Sequence, residues 1–257
     1  GTDEIAQIAA EFNSLTDRLQ TTEDARRRFV SDASHELKTP LAGIRLLTDS
    51  ILQTDNMDPE TTKEFVNDIG REAERLSRIT ENLLRLTRLD GGVVQAAYPV
   101  AVGPVLQRVE RMLGIVAEEK GVTISGAASE DAVALATDDD VHQILYNLME
   151  NAIKYSAAEN GFVRTEASAQ DGRVVITVTD NGIGIPDEDL PHIFDRFYRV
   201  DKMRSREVGG TGLGLSIVKD TIENRGGSIQ AGHGAGGMGA VFTVTLPLAQ
   251  EEELCEE

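Results

Sequence analysis

The sequence lacks cysteine pairs, long apolar runs and an excess of basic residues. A single cysteine, Cys255, excludes a disulfide framework or a cysteine-based metal site within one chain. Apolar runs fall short of a membrane span, and we expect no signal peptide. The formal net charge of -19 argues against nucleic acid or an anionic membrane as a partner, because phosphate groups select basic surfaces. The 257 residues are expected to form two domains.

Residues 1–90 are predicted to be helical with one break. A second helical stretch, over residues 65–86, repeats the apolar rhythm of the first. The alternating three- and four-residue steps are those of a heptad seam. In the first stretch the seam consists of Ile5, Ile8, Phe12, Leu15 and Leu19.

The break at residues 54–59 has turn composition, and Pro59 suits the first turn of a following helix. Two long helices joined by a short loop form an antiparallel hairpin. Since a lone hairpin cannot cover both its apolar stripes, we expect two copies to pair into a dimeric four-helix bundle. Residues 91–92, both glycine, are expected to end the second helix and begin a flexible linker.

The remainder of the chain mixes short strands and helices, which predicts a two-layer α/β sandwich. We therefore divide the chain into an N-terminal helical segment, a helical hairpin, an α/β domain and an acidic tail, at residues 1–20, 21–92, 97–250 and 251–257. Strands are predicted at 98–102, 122–124, 162–167, 173–179, 228–231 and 240–246, and helices near 106–116, 140–156 and 213–224.

The first helix carries the run FVSDASHELKTPL at residues 29–41, which has the groups that phosphoryl transfer to an imidazole requires. Glu36 can accept the Nδ1 proton of the adjacent His35 and leave Nε2 free to attack. Thr39 lies one turn further on the same face, where its hydroxyl could hold a water in line with a partner's phosphoaspartate. Pro40 removes one helical hydrogen bond and predicts a bend. A His-Glu pair alone would be an ordinary surface feature.

A second set of polar residues lies on the helix predicted near residue 150. Asn147, Asn151 and Lys154 share one narrow stripe, which would make a poor core and a good ligand wall. Magnesium prefers hard oxygen ligands, so an asparagine carbonyl together with phosphate oxygens is suitable. Lys154 can neutralise phosphate charge, and Tyr155 can stack on adenine or ribose. Leu145, Leu148 and Ala152 lie on another stripe and are predicted core residues.

Asp180 ends a strand whose alternate residues are apolar. A carboxylate in a buried row requires a hydrogen-bond donor, and the adenine amino group is one. Gly182 and Gly184 would let the backbone approach the base closely. Without a ligand, the same Asp-Asn-Gly sequence would be an ordinary turn.

Residues 209–216, GGTGLGLS, open a helix and predict a phosphate cradle of backbone N–H groups. The glycine spacing differs from that of the dinucleotide fingerprint. The chain contains no Gly-Lys pair, so this segment is not a P-loop, and the protein-kinase signatures are absent.

The segment around His35 resembles the dimerisation and phosphotransfer box of histidine kinases, whose core reads His-Glu-Leu-Lys/Arg-Thr-Pro-Leu. The resemblance implies a homodimer in which ATP phosphorylates His35, with Glu36 as the activating base. The phosphoryl group would then pass to an aspartate in the receiver domain of a response regulator. Glu-Leu-Lys-Thr also matches the subgroup in which the threonine, here Thr39, supports phosphatase activity.

The three later segments resemble the N box and two glycine boxes of the ATPase superfamily that includes histidine kinases, gyrase and MutL. Residues 193–199, IFDRFYR, resemble the histidine-kinase F box. Residues 199–208 resemble the mobile lid of the histidine-kinase nucleotide pocket. The resemblance implies ATP and Mg²⁺, with Asn151 as the metal ligand and Asn147 in support. It assigns adenine binding to Asp180, nucleotide contacts to Lys154 and Tyr155, pocket shape to Gly182, Gly184, Gly210, Gly212 and Gly214, and positions over the phosphates to Thr211 and Leu213.

Residues 1–20 resemble the last helix of a HAMP linker, which implies the cytoplasmic part of a membrane receptor; a plain coiled-coil extension is the alternative. Two other functions remain open. One is a gyrase-like or MutL-like ATPase in which no histidine is modified. The other is a non-enzymatic dimeric scaffold with a decayed pocket.

Overall fold

The computed structural model describes residues 2–54, 57–91, 95–157, 159–200 and 210–250. Contacts divide the chain into two compact units, Gly1–Leu83 and Leu84–Glu257. Most of the predicted lid, Gly92, Gly209 and the acidic tail lie outside the described residues. Among the described helices, none has the length and apolar content needed to cross a membrane.

The first unit is a pair of long helices. Helix α1 covers Thr2–Gln53 and continues through Pro40, and helix α2 covers Pro59–Asp90. Asp58 caps α2 by accepting hydrogen bonds from the N–H groups of the second and third helical residues. The hydrogen bond from the Thr61 hydroxyl, together with these two N–H groups, lowers the pKa of the Asp58 carboxyl. The helices are antiparallel: Glu36 pairs with Arg75, whereas Gly43, further along α1, lies near Glu72, earlier on α2.

The hairpin leaves several large apolar side chains uncovered. In the described part of this unit, Ile79 alone is a completely buried aliphatic side chain. Val30, Leu41 and Leu52 are 56%, 58% and 78% exposed. Their spacing of eleven residues is close to three helical turns, so the three side chains form one apolar stripe along α1.

The second unit contains the end of α2 and an α/β domain. Arg196 makes two hydrogen bonds to Asp90, at 2.7 and 2.9 Å, and Arg85 donates to Gln143 at 2.9 Å. Leu86 is completely buried. The last residues of α2 therefore belong to the second unit, so the contact boundary falls before Gly91, where we predicted the linker.

The α/β domain is a two-layer structure. Its elements are β1 Tyr98–Ala101, α3 Val102–Glu119, β2 Val122–Ala128, β3 Val133–Ala136, α4 Asp138–Tyr155, β4 Gly161–Gln170, β5 Arg173–Asp180, α5 Gly214–Asn224, β6 Ser228–His233 and β7 Ala240–Pro247. The main sheet has the order β2-β4-β5-β7-β6, in which β2 and β4 are parallel and the other neighbours are antiparallel. Alternate residues of β5 and β7 are buried, as expected for a sheet covered on one face by helices.

One strand was not predicted from the sequence. β3 pairs with β1 in a separate two-stranded sheet, with Ala134 opposite Val100. Alanine has little preference for strands, so its local sequence carries a weak signal. The pairing and the complete burial of Ala134 and Ala136 explain why this segment is extended.

The core stripe of α4 is as predicted. Leu145 and Leu148 are completely buried and Ala152 is 3% exposed. Burying a leucine side chain contributes about 1.5–3 kcal/mol, so this stripe anchors α4 to the domain. The opposite, polar stripe is thereby held in a fixed direction.

Candidate active site

The start of α4 is set by a reciprocal cap. The Thr137 hydroxyl accepts the Asp140 N–H at 3.2 Å, and the Asp140 carboxylate accepts the Thr137 N–H at 3.2 Å. Further along the helix, Asn147 is 9% exposed and its Nδ2 donates to the Gly214 carbonyl at 3.2 Å. Asn147 thus connects the polar stripe of α4 to the first residue of α5.

The other two predicted residues of this stripe, Asn151 and Lys154, and the adjacent Tyr155 are less buried than Asn147. Asn151, Lys154 and Tyr155 are half-buried, and the Lys154 ammonium lies 5.6 Å from the centre of the Tyr155 ring. These side chains remain accessible to a ligand from the same side of α4.

The donor set suits magnesium held mainly by phosphate. In the described part of the chain no group of three His, Cys, Asp or Glu residues could hold a metal by itself. Asn151 supplies one neutral amide oxygen. Mg²⁺ commonly takes one or two protein ligands and completes its shell with substrate phosphates and water, so these residues fit that ion.

Asp180 lies at the end of β5 and is 6% exposed. Its Oδ1 accepts the Gly182 N–H at 2.8 Å and the Ala240 N–H at 3.2 Å. Burial raises the pKa of Asp180, and the two N–H donors partly oppose that rise. Among the described residues both hydrogen bonds go to Oδ1, so Oδ2 is the oxygen left for a ligand.

Gly182 is required by the protein's own backbone. A Cβ at this position would collide with the Tyr155 carbonyl oxygen, which accepts the Ile183 N–H at 3.1 Å. From the sequence we expected Gly182 for a different reason, namely that a glycine would let the backbone approach the adenine base closely. Gly184 lies beside Gly239, which precedes β7. These glycines therefore allow the backbone segments around Asp180 to approach one another closely.

The second glycine segment packs against the segment that resembles the F box. Gly212 has φ of 71°, and a Cβ there would lie 2.8 Å from the Phe197 carbonyl carbon. Its carbonyl accepts the Phe197 N–H at 2.8 Å. The two segments therefore form one surface just before α5, with Gly210 and Thr211 on the segment that leads into the helix.

Leu213 lies on the segment that leads into α5, and its predicted place on the loop over the phosphates stays a prediction. Its side chain is completely buried, and its N–H donates to the Thr211 hydroxyl at 3.3 Å. The side chain therefore anchors the start of α5 at Gly214. Only the backbone of Leu213 could contact a nucleotide in this conformation.

The phosphoacceptor residues lie on α1, in the first unit. His35 and Thr39 are exposed, as an acceptor and its neighbour must be. The Thr39 hydroxyl donates to the His35 carbonyl at 3.1 Å, which leaves its oxygen lone pairs to accept a hydrogen bond from water. The predicted role of Thr39 in dephosphorylation stays a prediction.

Arg75 is a residue of the hairpin that was not predicted from the sequence to belong to the site. Arg75 Nη2 donates to Glu36 Oε2 at 3.4 Å, from the opposite helix of the hairpin. The available signal was its position four residues before Ile79, on the apolar stripe of α2, where a charged residue is unexpected. Its partner could not be read from the sequence, because the register between the helices was unknown.

Comparisons with known proteins agree with this geometry. Residues 25–92 match the family described as the His Kinase A (phospho-acceptor) domain. Residues 136–250 match the family of histidine kinase-, DNA gyrase B- and HSP90-like ATPases. The chain belongs to the sensor histidine kinase family.

Individual histidine kinases are similar over most of this chain. The kinase AfsQ2 of Streptomyces coelicolor is 36% identical over 96% of the chain and 48% of its own length. Full-length ShkA, solved in complex with AMPPNP, is 31% identical with a TM-score of 0.64, over 87% of the chain and 46% of ShkA. ThkA, solved in complex with the response regulator TrrA, shares the fold at 22% identity and a TM-score of 0.68. The match covers 90% of the present chain and 66% of the matched ThkA-complex chain. The chain spans about half the length of curated histidine kinases that it matches.

Proposed function

We propose that this chain is the signalling end of a two-component sensor. It transfers the γ-phosphoryl group of ATP to His35 and then to an aspartate in the receiver domain of a response regulator. The observation that carries the proposal is the coexistence of two sites. An exposed histidine adjoins a carboxylate on a long helix, and a separate α/β domain presents a buried aspartate beside a stripe of amide and ammonium groups.

The proposed transfer follows from the groups present. The His35 Nε2 lone pair attacks the γ-phosphorus, and the bond to the bridging oxygen breaks with its electron pair leaving on ADP. The Nδ1 proton passes to Glu36 and from there to solvent, so the ring ends neutral apart from its phosphoryl group. Positioning supplies much of the rate enhancement, since the two reactants are brought together in line.

The nucleotide is held by the α/β domain in this proposal. Asp180 Oδ2 accepts a hydrogen bond from the adenine amino group. It disfavours guanine, whose carbonyl oxygen at that position cannot donate a hydrogen bond. Tyr155 contacts the nucleoside, and Lys154 and the N–H groups near Gly210, Gly212 and Gly214 face the phosphates. Asn151, supported by Asn147, would hold Mg²⁺, which neutralises charge on the phosphates when bound.

The hairpin's exposed apolar stripe supports a homodimer, because a second copy would cover it. The ThkA–TrrA complex supports a response regulator as the second partner. We further propose that Thr39 positions the water that removes the phosphoryl group from the regulator. The HAMP-like residues 1–20 support placement on the cytoplasmic side of a membrane receptor.

Incubation with γ-labelled ATP and Mg²⁺ tests the proposal directly. The label should appear on the chain, be lost in acid and survive base, as a phosphoramidate does. His35→Ala should abolish labelling and keep nucleotide binding, because the binding residues lie on other elements. Labelling that persists in His35→Ala would identify another acceptor and refute the proposal.

The same assay separates the two rival functions. A gyrase-like ATPase would hydrolyse ATP without forming an acid-labile phosphoprotein. A scaffold with a decayed pocket would fail to bind ATP in a titration.

A further inference from the structure

A cluster of three charged residues lies between the two helices of the hairpin. Arg75 on α2 is 7% exposed, and its Nη2 donates to Oε2 of Glu36 on α1 at 3.4 Å. Its Nη1 lies 3.8 Å from Oε2 of Glu72, which precedes it by one turn on α2. Two carboxylates thus flank one guanidinium, and one of them belongs to the neighbour of His35.

Stability does not account for an arginine at this position. In the described part of the chain, Arg75 Nε and Glu72 Oε2 are buried without a hydrogen-bond partner, which costs free energy. Replacing a buried ion pair by apolar side chains is often neutral or stabilising. The following turn of the same stripe carries Ile79, which is completely buried. An apolar residue would therefore suit position 75 better if folding alone mattered.

Geometry connects Arg75 to the reaction through Glu36. Adjacent residues on a helix point about 100° apart, so Glu36 must hold a defined rotamer to serve the His35 ring. A free glutamate side chain loses substantial rotamer entropy when it is fixed. A guanidinium that is itself buried, and therefore fixed, limits the directions available to the Glu36 carboxylate before ATP arrives.

We propose that Arg75 is a positioning residue for phosphorylation of His35. It holds the Glu36 carboxylate on the α2 side of the hairpin, from which that carboxylate takes the Nδ1 proton. Arg75 acts through Glu36 and does not touch the reacting atoms. The proposal rests on the function proposed above for His35 and Glu36.

A double-mutant cycle in the full chain tests this role. Initial rates of His35 phosphorylation are measured for the wild type, Arg75→Met, Glu36→Gln and the double variant. Arg75→Met should lower kcat about 10- to 100-fold, because misplacing a reacting group by about 1 Å can cost about 100-fold, and should leave KM for ATP unchanged. In the Glu36→Gln background the same substitution should change the rate less than about twofold, because the group it positions is already absent.

Two further variants control for charge and packing. Arg75→Lys keeps the charge and should recover part of the lost rate. Glu72→Gln removes the other carboxylate beside Arg75, which is not adjacent to His35, and should stay within about twofold of the wild type. Thermal melts show which variants are folded at the assay temperature. If Arg75→Met is unfolded at that temperature, Arg75→Lys replaces it in the double-mutant cycle. The loss of phosphorylation rate should then be smaller and equally non-additive with Glu36→Gln.

The outcomes separate this inference from the proposed function. Equal rates for the wild type and Arg75→Met overturn the role of Arg75, as does a loss that is fully retained in the Glu36→Gln background. Equal losses in Glu72→Gln and Arg75→Met also overturn it, since they indicate a general packing effect. A wild-type chain that forms no phosphohistidine refutes the proposed function instead.

Discussion

The hairpin and the α/β domain bury their apolar residues to very different extents, although both contain amphipathic helices. In the described part of the hairpin unit, Ile79 is the one completely buried aliphatic side chain, whereas α4 alone buries Ile144, Leu145 and Leu148 completely.

The difference follows from what each unit can place against its helices. A sheet with one apolar face covers the inward stripe of each helix in the α/β domain. In the described part of the hairpin unit each helix packs against the other helix alone, so a second stripe would stay exposed unless another chain covered it. We therefore expect the stability of the α/β domain to be intrinsic and that of the hairpin to depend on protein concentration.

The largest effect is expected at a buried ion pair of the α/β domain. Arg225 binds Asp140 at 2.7 and 2.8 Å and donates to the Gln95 carbonyl at 2.8 Å, and its side chain is 8% exposed. Arg225→Met leaves the Asp140 charge poorly compensated and should lower the free energy of unfolding of this domain by about 3–5 kcal/mol. Denaturant titration followed by circular dichroism measures this loss.

The control for Arg225 is an exposed pair of the hairpin. Arg27 lies 3.2 Å from Glu23, with 74% and 51% of the two side chains exposed. Arg27→Met should change the free energy of unfolding by less than about 0.5 kcal/mol, because water screens the pair. Similar losses at Arg225 and Arg27 would contradict the view that only the α/β domain depends on its own buried contacts.

An intermediate effect is expected at Asp180. In Asp180→Asn the amide oxygen can still accept the Gly182 and Ala240 N–H groups, but the amide no longer suits the adenine amino group. Affinity for ATP should fall about 10- to 100-fold, the range for losing one hydrogen bond to a charged group. Isothermal titration measures it, and Asp171→Asn, at the turn before β5, should bind ATP as the wild type does.

The same variant should change stability in the opposite direction. Burial raises the pKa of Asp180 in the folded state, so its contribution to stability is present below the ordinary aspartate pKa and is lost as pH rises through the higher folded value. Asparagine has no such loss. The unfolding free energy of Asp180→Asn should therefore gain on that of the wild type as pH increases from acid to neutral, and a constant difference would contradict the raised pKa.

The sequence predicted elements with strong periodicity and failed where pairing decides the structure. The core stripe of α4 and the alternating face of β5 that ends in Asp180 follow from residue spacing alone, and both are confirmed. β3 was not predicted because alanine carries little local signal. Arg75 was not singled out, since its role depends on the register between two helices. The contact of Gly182 with the Tyr155 carbonyl was not predicted either, because the two residues are distant in sequence; the predicted approach of Gly182 to the base stays a prediction.

The remaining effect is expected on the hairpin's exposed stripe. Leu41 shares this stripe with Val30 and Leu52, so Leu41→Asp would place a charge in the contact with a second copy. We expect the dimer dissociation constant to rise about tenfold or more, because losing one buried leucine forfeits about 1.5–3 kcal/mol. Analytical ultracentrifugation over a range of concentrations measures this change.

Leu46 provides the matched control for Leu41, because it is also an exposed leucine of α1, at 68%. It follows Leu41 by five residues, which places it about 140° away around the helix. It precedes Leu52 by six residues, which is also far from a whole number of helical turns. Leu46→Asp should therefore leave the dimer intact. Equal weakening by the two substitutions would show that the stripe through Leu41 is not the dimer contact, and the hairpin would then need another explanation for its uncovered apolar face.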